Sequence, residues 1–371
     1  MDATGAARST VGPVRPPSRG ARRTATLGSR GDRDVRRAPQ RDRVPTSRGA
    51  ARPSGEHPPR PRIAVVGAGR CGSALAVAAH AAGYRVTAVA SRTPENARAL
   101  AARVGADAVE SAVAATRRAD LILLTVPDGQ ITRVAATIAA SGAALGGRGL
   151  VHCSGAHPSS ALAAARHAAG AVGSVHPLRS LTGGDAACQL PGTYFAIEAD
   201  EALRPVLERL VCDLGGVPFT VPAAGRALYH AAAVLAGNAP LALVARATVL
   251  LESAGVDPLL AGEALASLLE GAAQNARRLG ARSALTGPVV RNDAETVQRH
   301  LAALRRDPDT LRLYRELAAE TLRIAGGTGR EAVAAVLASA GAELRGRPRR
   351  RGRSRRAAAS LSGLTGARAK G

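Results

Sequence analysis

A glycine-rich turn at residues 67–72 constrains the fold of this chain more than any other feature. Gly67-Ala68-Gly69-Arg70-Cys71-Gly72 follows a short apolar run and precedes an Ala-rich helical segment. In a strand–turn–helix unit, the first glycine permits the tight turn, the second lets a pyrophosphate approach the backbone, and the third lets helix and strand pack closely. The free N–H groups at the helix start then bind the phosphates. The motif predicts a dinucleotide site formed by these six residues.

A second signal lies at the end of the next apolar run. Ser91-Arg92-Thr93 comes about twenty residues after Gly72, where NAD-binding domains carry an Asp or Glu on the ribose diol. An arginine instead suits the 2′-phosphate of NADP, through charge-assisted hydrogen bonds that are often bidentate. Ser91 or Thr93 is also a candidate cap for the helix that starts at Pro94. The exchange of acid for arginine predicts NADP as the cofactor, bound in part by Ser91, Arg92 and Thr93.

Hydrophobic patterning predicts the fold class. The predicted strands are Ile63–Val66, Val86–Ala90, Leu121–Val126, Gly149–His152, Ala171–Ser174, Tyr194–Glu198 and Val217–Thr220, and the predicted helices between them include Cys71–Ala82, Pro94–Arg103, Pro158–Ala169 and Ala202–Leu214. Strands and helices alternating at this spacing predict a parallel sheet covered on both faces. Residues 223–325 predict helix throughout, with breaks at 255–258, 285–288 and 307–308. The predicted fold class is α/β, a Rossmann-type parallel-sheet domain followed by an all-α helical domain.

The net charge of +23 is concentrated at the two ends of the chain. Residues 1–61 carry 14 arginines and five acidic residues, and residues 345–371 carry nine arginines, Lys370 and no acid. Such segments bury too little apolar surface to offset their ordering entropy. We expect a disordered basic tail at 1–61, an NADP-binding domain at 62–222, a helical substrate and dimerisation domain at 223–328, and a short helix with a disordered basic tail at 329–371. The tails lack aromatic residues for base stacking, so we do not expect nucleic-acid binding, although their charge leaves that alternative open.

Composition also bears on location and on metals. The chain start lacks the apolar run of a secretory signal, and no run of 18 apolar residues is found, which predicts a cytoplasmic protein without a membrane span. The four cysteines, Cys71, Cys153, Cys188 and Cys212, do not have the paired spacing of a zinc site. We therefore expect reduced thiols and no bound metal.

Polar side chains that follow the later strands are candidates for chemistry, because ligands of open parallel sheets bind at the carboxyl ends of the strands. Val126 and Pro127 follow one strand and are expected to contact the cofactor, while Asp128 is placed to cap the next helix. His152-Cys153-Ser154-Gly155 follows the next strand, and Val175-His176-Pro177-Leu178-Arg179-Ser180 follows the one after it.

A further polar cluster lies on the first helix of the helical region. Arg226 and His230 are four residues apart and share a helix face, with Tyr229 beside them. Asn238 lies further along, before Pro240, whose ring is expected to kink the helix and turn Asn238 towards the cleft. A satisfied polar pair in the core is the alternative interpretation of the His and the Asn.

Taken together, these segments are similar to a known family. The glycine-rich turn, the segments 152–155 and 175–180, Leu228 through Asn238, and Leu285-Thr286-Gly287-Pro288 occur in this order. They resemble a bacterial family of Rossmann-like NADP oxidoreductases that carry a C-terminal helical domain of unknown function, and the resemblance covers residues 62–325. The architecture is similar to the 6-phosphogluconate dehydrogenase superfamily, which includes ketopantoate reductase, pyrroline-5-carboxylate reductase and prephenate dehydrogenase. The resemblance implies a cleft between the domains and a homodimer formed through the helical domain.

One departure from that superfamily concerns the proton donor. Ketopantoate reductases and hydroxyacid dehydrogenases use a lysine on the helical domain, whereas the only lysine here is Lys370. Arg226 is too basic to exchange protons near neutral pH. We therefore expect His230 or His176 to donate the proton, because histidine titrates near neutrality.

These features predict an NADP(H)-dependent oxidoreductase that transfers hydride to a small carbonyl substrate, such as the 2-oxo acid ketopantoate. Ser154 and Asn238 are expected to hold the substrate oxygen, and Arg179 or Arg226 to bind a carboxylate. An imine reductase and a prephenate-like dehydrogenase are the enzymatic alternatives. A non-enzymatic NADP-binding regulatory protein is the third, because a fold does not determine a function.

Overall fold

The computed structural model of the protein describes residues 59–142, 145–182, 186–326 and 328–345, so most of both predicted tails lies outside the described residues. The strands are β1 (Ile63–Val66), β2 (Val86–Ala90), β3 (Asp107–Val109), β4 (Leu121–Leu124), β5 (Leu145–His152), β6 (Ala169–Pro177), β7 (Tyr194–Ala199) and β8 (Val217–Thr220). The helices are α1 (Arg70–Ala81), α2 (Pro94–Val104), α3 (Ala112–Thr116), α4 (Ile131–Ala140), α5 (Arg204–Asp213), α6 (Arg226–Ser253), α7 (Pro258–Leu279), α8 (Ala281–Ala284), α9 (Ala294–Ala303), α10 (Pro308–Ala325) and α11 (Glu331–Arg345).

The eight strands form one sheet in the order β3-β2-β1-β4-β5-β6-β7-β8. Neighbouring strands are parallel except β6 and β7, which are antiparallel. The predicted parallel sheet is therefore confirmed except at this pair. The physical reason is that a parallel return needs a crossover, usually a helix, whereas the described part of the β6–β7 connection contains only a 3₁₀ turn at Ala186–Gln189.

Both faces of the sheet are covered, as the patterning predicts. The odd residues of β1, Ile63 and Val65, belong to a core formed with α1, α2 and α5. The even residues Ala64 and Val66 belong to a second core formed with α3 and α4. Successive side chains of a strand point to opposite faces, so a strand buried on both faces is apolar throughout, as the sequence of β1 is. The Rossmann-type domain is confirmed.

One prediction of local structure is wrong, and one short strand was missed. The predicted helix Pro158–Ala169 is a 3₁₀ segment at Ser159–Ala165, and Ala169 already belongs to β6. The carbonyl of Pro158 lies 3.0 Å from Nε2 of His152, and Ser159 hydrogen-bonds to Glu198, so tertiary partners replace those of a regular helix. The short strand β3 was not predicted, because its three residues are too few for an alternating pattern.

The helical region follows β8 and agrees with the predicted breaks. A small core unites α9, α10 and α11 through residues such as Val297, Leu311 and Val333. By contrast, α6 continues as helix through Pro240 and has only Arg226 buried among its described residues. By length and composition alone, the segment Ala223–Ser253 could cross a membrane, and none of its most apolar window is buried. One such helix is weak evidence for a membrane span, so it does not overturn the expectation that the chain has none.

Candidate active site

A cavity of about 770 Å³ lies at the carboxyl ends of β1, β2 and β4. It contains ten of the eleven residues predicted to bind the cofactor, namely Gly67, Ala68, Gly69, Arg70, Cys71, Ser91, Arg92, Thr93, Val126 and Pro127. Its volume lies within the range of about 300–1,000 Å³ that is usual for cofactor sites. The structure thus gathers the predicted cofactor residues in one cleft.

Gly72, the eleventh residue, packs behind the turn. A Cβ atom on Gly72 would lie 2.0 Å from the carbonyl oxygen of Gly67 and 2.4 Å from Oγ1 of Thr125. Gly67 itself has a φ of +113°, a conformation that favours glycine. Thr125, which was not predicted, donates from Oγ1 to the carbonyl oxygen of Gly67 at 2.6 Å. The close packing expected of the third glycine is present, and Thr125 holds the turn in place.

The turn fits a pyrophosphate. A Cβ built on Gly69 would meet no atom within 4 Å, so the backbone is open to a ligand at this point. Gly69 is also the N-cap of α1 and makes no side-chain capping bond, which leaves the helix N-terminus available to an anion.

Three basic side chains also line the cavity. Arg92 lines it together with Arg70 and Arg133. Thr93 is the N-cap of α2 but makes no side-chain capping bond, so the alternative role of Thr93 as a capping side chain is wrong. Ser91 instead accepts a hydrogen bond from the backbone N–H of Thr93, at 3.3 Å. Asn96, in the first turn of α2, also lines the cavity and was missed, although it follows the arginine motif by only four residues.

The turn after β4 does not have the predicted capping geometry. Asp128 begins a 3₁₀ turn, and Gln130 is the N-cap of α4, so the predicted capping role of Asp128 is wrong. The Asp128 carboxylate lies 3.5 Å from Nδ1 of His157, in the loop after β5. Asp128 therefore connects two loops at the edge of the sheet where the cofactor cavity opens.

The loop after β5 is held by its own polar groups. Oγ of Ser154 accepts from the backbone N–H groups of Ala156 and His157, at 3.2 and 3.3 Å. The ring of His152 is fully buried, with Nδ1 accepting the Ser154 N–H at 3.2 Å and Nε2 placed 3.0 Å from the carbonyl of Pro158. Burial lowers the pKa of His152. Ser154 is buried in these contacts and is not among the residues that line the cavity.

His176 lines the cavity and joins the sheet to α6. Its Nδ1 atom lies 2.6 Å from the hydroxyl of Tyr229. Burial is the main reason that the pKa of His176 is lowered to about 4, and burial raises the pKa of Tyr229 to about 12. At neutral pH the imidazole is therefore neutral and the phenol is protonated. The expectation that His176 titrates near neutrality is wrong, and Tyr229 is a functional group that the sequence interpretation noted but did not assign.

The remaining predicted site residues differ in whether they reach the cavity. Arg179 is exposed and lines the cavity. The ring of His230 lies 6.4 Å from that of His176, between centroids, and both its nitrogens are buried without a hydrogen-bond partner among the described residues. Asn238 is exposed on α6 and does not line the cavity, so the expected turn towards the cleft is not found. Arg226 is only 1% exposed, and its Nε atom lies 3.4 Å from the Glu198 carboxylate, which removes it from direct reach of the cavity.

Two family descriptions match separate parts of the chain. Residues 62–154 match the family described as "NADP oxidoreductase coenzyme F420-dependent". Residues 193–321 match the family described as "Domain of unknown function (DUF2520)". Comparison with curated proteins found no match.

Solved structures show the same fold. Protein BF3122 from Bacteroides fragilis is 24% identical with a TM-score of 0.57, and the match covers 70% of this chain and 97% of that one. A pyrroline-5-carboxylate reductase from Coxiella burnetii is 17% identical with a TM-score of 0.50, covering 77% and 99%. The V8 variant of an imine reductase from Myxococcus stipitatus, in complex with NAD⁺, is 18% identical with a TM-score of 0.51, covering 75% and 99%.

The family matches therefore agree with the geometry of the cleft, in which the glycine-rich turn and Arg92 lie at the carboxyl ends of the strands. The fold is shared with these solved structures. The chain is an NADP-dependent oxidoreductase that is similar over residues 62–154 to the family "NADP oxidoreductase coenzyme F420-dependent" and over residues 193–321 to the family DUF2520.

Proposed function

We propose that the protein uses NADPH to reduce the carbonyl group of a small 2-oxo acid. The observation that carries this proposal is the hydrogen bond of 2.6 Å between Tyr229 and His176 at the edge of the cofactor cavity. Reduction of a carbonyl develops negative charge on its oxygen, which needs a proton donor close by. This pair supplies one in a chain without a lysine in its described residues.

The pair donates a proton without the imidazole becoming charged. NADPH, when bound, supplies the hydride. We assign the tautomer in which the Tyr229 hydroxyl donates to Nδ1 of His176, 2.6 Å away, and Nε2 of the neutral ring carries the ring proton. As Nε2 gives its proton to the substrate oxygen, Nδ1 takes the proton of Tyr229, and solvent later restores the phenol. The neutral state of His176 is thus compatible with its predicted catalytic role.

Arg179 is our choice for the group that binds the substrate carboxylate. It is exposed, it lines the cavity, and it follows His176 by three residues. A guanidinium binds a carboxylate through two parallel N–H···O bonds, which would orient the adjacent carbonyl. His230 lies beside His176, and we propose that it contributes to the wall of the substrate site.

Reduction of a C=N bond is the second candidate. It is favoured by the structural likeness to the pyrroline-5-carboxylate reductase and imine reductase described above. Asp128 is a carboxylate near His176 that would stabilise a cationic iminium substrate. The purified protein with NADPH can be used to test both candidates, the reduction of a carbonyl group and the reduction of a C=N bond.

The deciding experiment measures NADPH oxidation by the purified full chain against a panel of 2-oxo acids, including ketopantoate, and a panel of cyclic imines with and without a carboxylate. We expect turnover with 2-oxo acids, and loss of that turnover in Tyr229→Phe. Turnover of cyclic imines alone would replace the first candidate by the second. No turnover in either panel, with normal NADPH binding, would contradict both.

We also propose a homodimer formed through α6 and α7. These helices pack on each other but leave large apolar side chains in solvent, among them Leu228 at 78% and Leu268 at 69% exposure. Monomeric soluble proteins rarely expose contiguous apolar surface of this kind. A second copy of the chain would cover it, and would also bury Asn238, which lies on the same helix. We likewise propose that residues 62–222 and 223–328 form separate domains and that the protein is cytoplasmic.

A further inference from the structure

We infer that Arg226 is a positioning residue, which holds Tyr229 on His176 from behind the site rather than binding substrate. The inference rests on the proposed function, in which the Tyr229–His176 pair donates the proton. It follows from a series of contacts that links the sheet, the loop after β5 and α6.

The first contact anchors the guanidinium. Arg226 is the first residue of α6, and its Nε atom lies 3.4 Å from Oε2 of Glu198 on β7. That carboxylate is itself fixed, because it accepts from the N–H and the hydroxyl of Ser159, at 3.0 and 2.8 Å. Glu198 therefore connects β7 and the 3₁₀ segment after β5 to the start of α6.

The second contact reaches the catalytic pair. The guanidinium carbon of Arg226 lies 5.9 Å from the centre of the Tyr229 ring, within the range of about 6 Å for a cation–π contact. Tyr229 is three residues further along the helix and shares this face with Arg226. Its hydroxyl then bonds to His176. The cation is thus linked to His176 through the ring that it contacts.

The positive charge also acts on both members of the pair. The charge of Arg226 opposes the rise in the pKa of Tyr229 that burial causes. It also adds to the lowering of the pKa of His176. The groups that face His176 are His230, His152 and Asp128, together with Arg226 and Tyr229, and of these only Asp128 raises its pKa. The buried charge therefore keeps His176 unprotonated and able to accept the Tyr229 hydrogen bond.

Burial separates this role from substrate binding. The Nη atoms of Arg226 are buried and have no hydrogen-bond partner among the described residues. A substrate carboxylate in the cavity would meet Arg179 without displacing the Tyr229 ring. A positioning residue lowers kcat and shifts the pKa of its dependent group, whereas a substrate ligand chiefly raises KM.

The test compares Arg226→Gln, which is neutral but keeps a donor for Glu198, with Arg226→Lys, which keeps the charge. The imidazole of His176 is titrated by NMR in the full chain and assigned with His176→Gln. We expect its pKa to rise by about one unit in Arg226→Gln and to stay near that of the parent in Arg226→Lys. With an established substrate, Arg226→Gln should lower kcat about tenfold or more while KM changes less than twofold.

The matched control is Arg166→Gln, which breaks another arginine–carboxylate bond near the end of β7 that does not involve α6. Arg166, at the end of the 3₁₀ segment, donates to Asp200 just after β7, at 2.8 Å, without contact to Tyr229. This control should leave both readouts unchanged. An unchanged His176 pKa in Arg226→Gln, or a rise in KM alone, overturns the inference. The NMR titration needs no substrate, so it still decides the inference if Tyr229→Phe shows that the proposed proton donor is wrong.

If Arg226→Gln does not fold, as judged by circular dichroism and NADPH binding, Arg226→Lys supplies the test. A His176 pKa raised by a full unit despite the retained charge would contradict the inference. A pKa near that of the parent, with kcat reduced because lysine lacks the planar group, would support it.

Discussion

The hydroxyl of Tyr229 lies 2.6 Å from Nδ1 of His176, so α6 and β6 meet through a hydrogen bond beside the cofactor cavity. A second pair in the chain has nearly the same geometry. Tyr314 and His300 lie 2.9 Å apart between hydroxyl and Nδ1, and the ring centroids are 5.7 Å apart in both pairs, with interplanar angles of 84° and 87°. The second pair lies in the helical region and does not line the cavity. The Tyr314–His300 pair is therefore an internal control, because it has the geometry of the Tyr229–His176 pair but lies away from the cavity.

Removal of the Tyr229 hydroxyl should lower turnover. In Tyr229→Phe, we expect kcat to fall at least about 100-fold, which is the lower end of the effect of losing a general acid. NADPH affinity should change less than twofold, because Tyr229 does not line the cofactor cavity. Steady-state kinetics and fluorescence titration measure the two quantities. Tyr314→Phe should retain normal turnover, and equal turnover in both variants would remove Tyr229 from the mechanism.

The partial burial of His176 predicts how stability depends on pH. Its pKa of about 4 in the folded chain is below the ordinary value of 6.5, so the unfolded chain takes up this proton at higher pH. The free energy of unfolding should therefore be highest above pH 6.5 and fall by about 3 kcal/mol as the pH drops to about 4. Denaturant unfolding of the parent and of His176→Gln at several pH values measures this. A parallel pH dependence in the two proteins would show that His176 does not titrate as we predict.

Arg92 should decide between the two nicotinamide cofactors. We expect Arg92→Ala to weaken NADP⁺ binding about tenfold and to leave NAD⁺ binding nearly unchanged, because only NADP⁺ carries the 2′-phosphate. Isothermal titration calorimetry gives both affinities. Arg98→Ala, on helix α2 shortly after Arg92 but paired with Glu95, is the matched control. If the parent binds both cofactors equally, the assignment of Arg92 to the phosphate fails.

Two glycines of the turn should respond differently to the same substitution. Gly72→Ala would place a methyl group 2.0 Å from the backbone of Gly67, so we expect a loss of stability of about 1–3 kcal/mol. Gly69→Ala meets no protein atom within 4 Å and should fold normally but lose most of its NADP⁺ affinity. Thermal unfolding with and without NADP⁺ separates the two effects. Normal cofactor binding by Gly69→Ala would mean that the pyrophosphate does not approach this residue.

The exposed leucines of α6 predict the oligomeric state. We expect the parent to be a dimer and Leu235→Glu to dissociate it, because a charge buried in an apolar interface is costly. Size-exclusion chromatography with light scattering measures the mass. Leu313→Glu, at an exposed leucine of α10, should remain dimeric. If the parent is monomeric over the accessible concentration range, the proposed homodimer through α6 and α7 is wrong.

The sequence alone determined the parts of this protein that depend on neighbours along the chain. The bounds of β1, β2 and β8, the glycine-rich turn and the arginine motif after β2 agree with the structure, because strand patterning and turn chemistry are local. The tertiary structure decided the rest. Tyr229 and His176 are 53 residues apart, and Arg226 and Glu198 are brought together only when α6 docks on β7. The same docking buries His176 and shifts its pKa away from neutrality, which no local pattern could indicate, because desolvation depends on what packs around the ring.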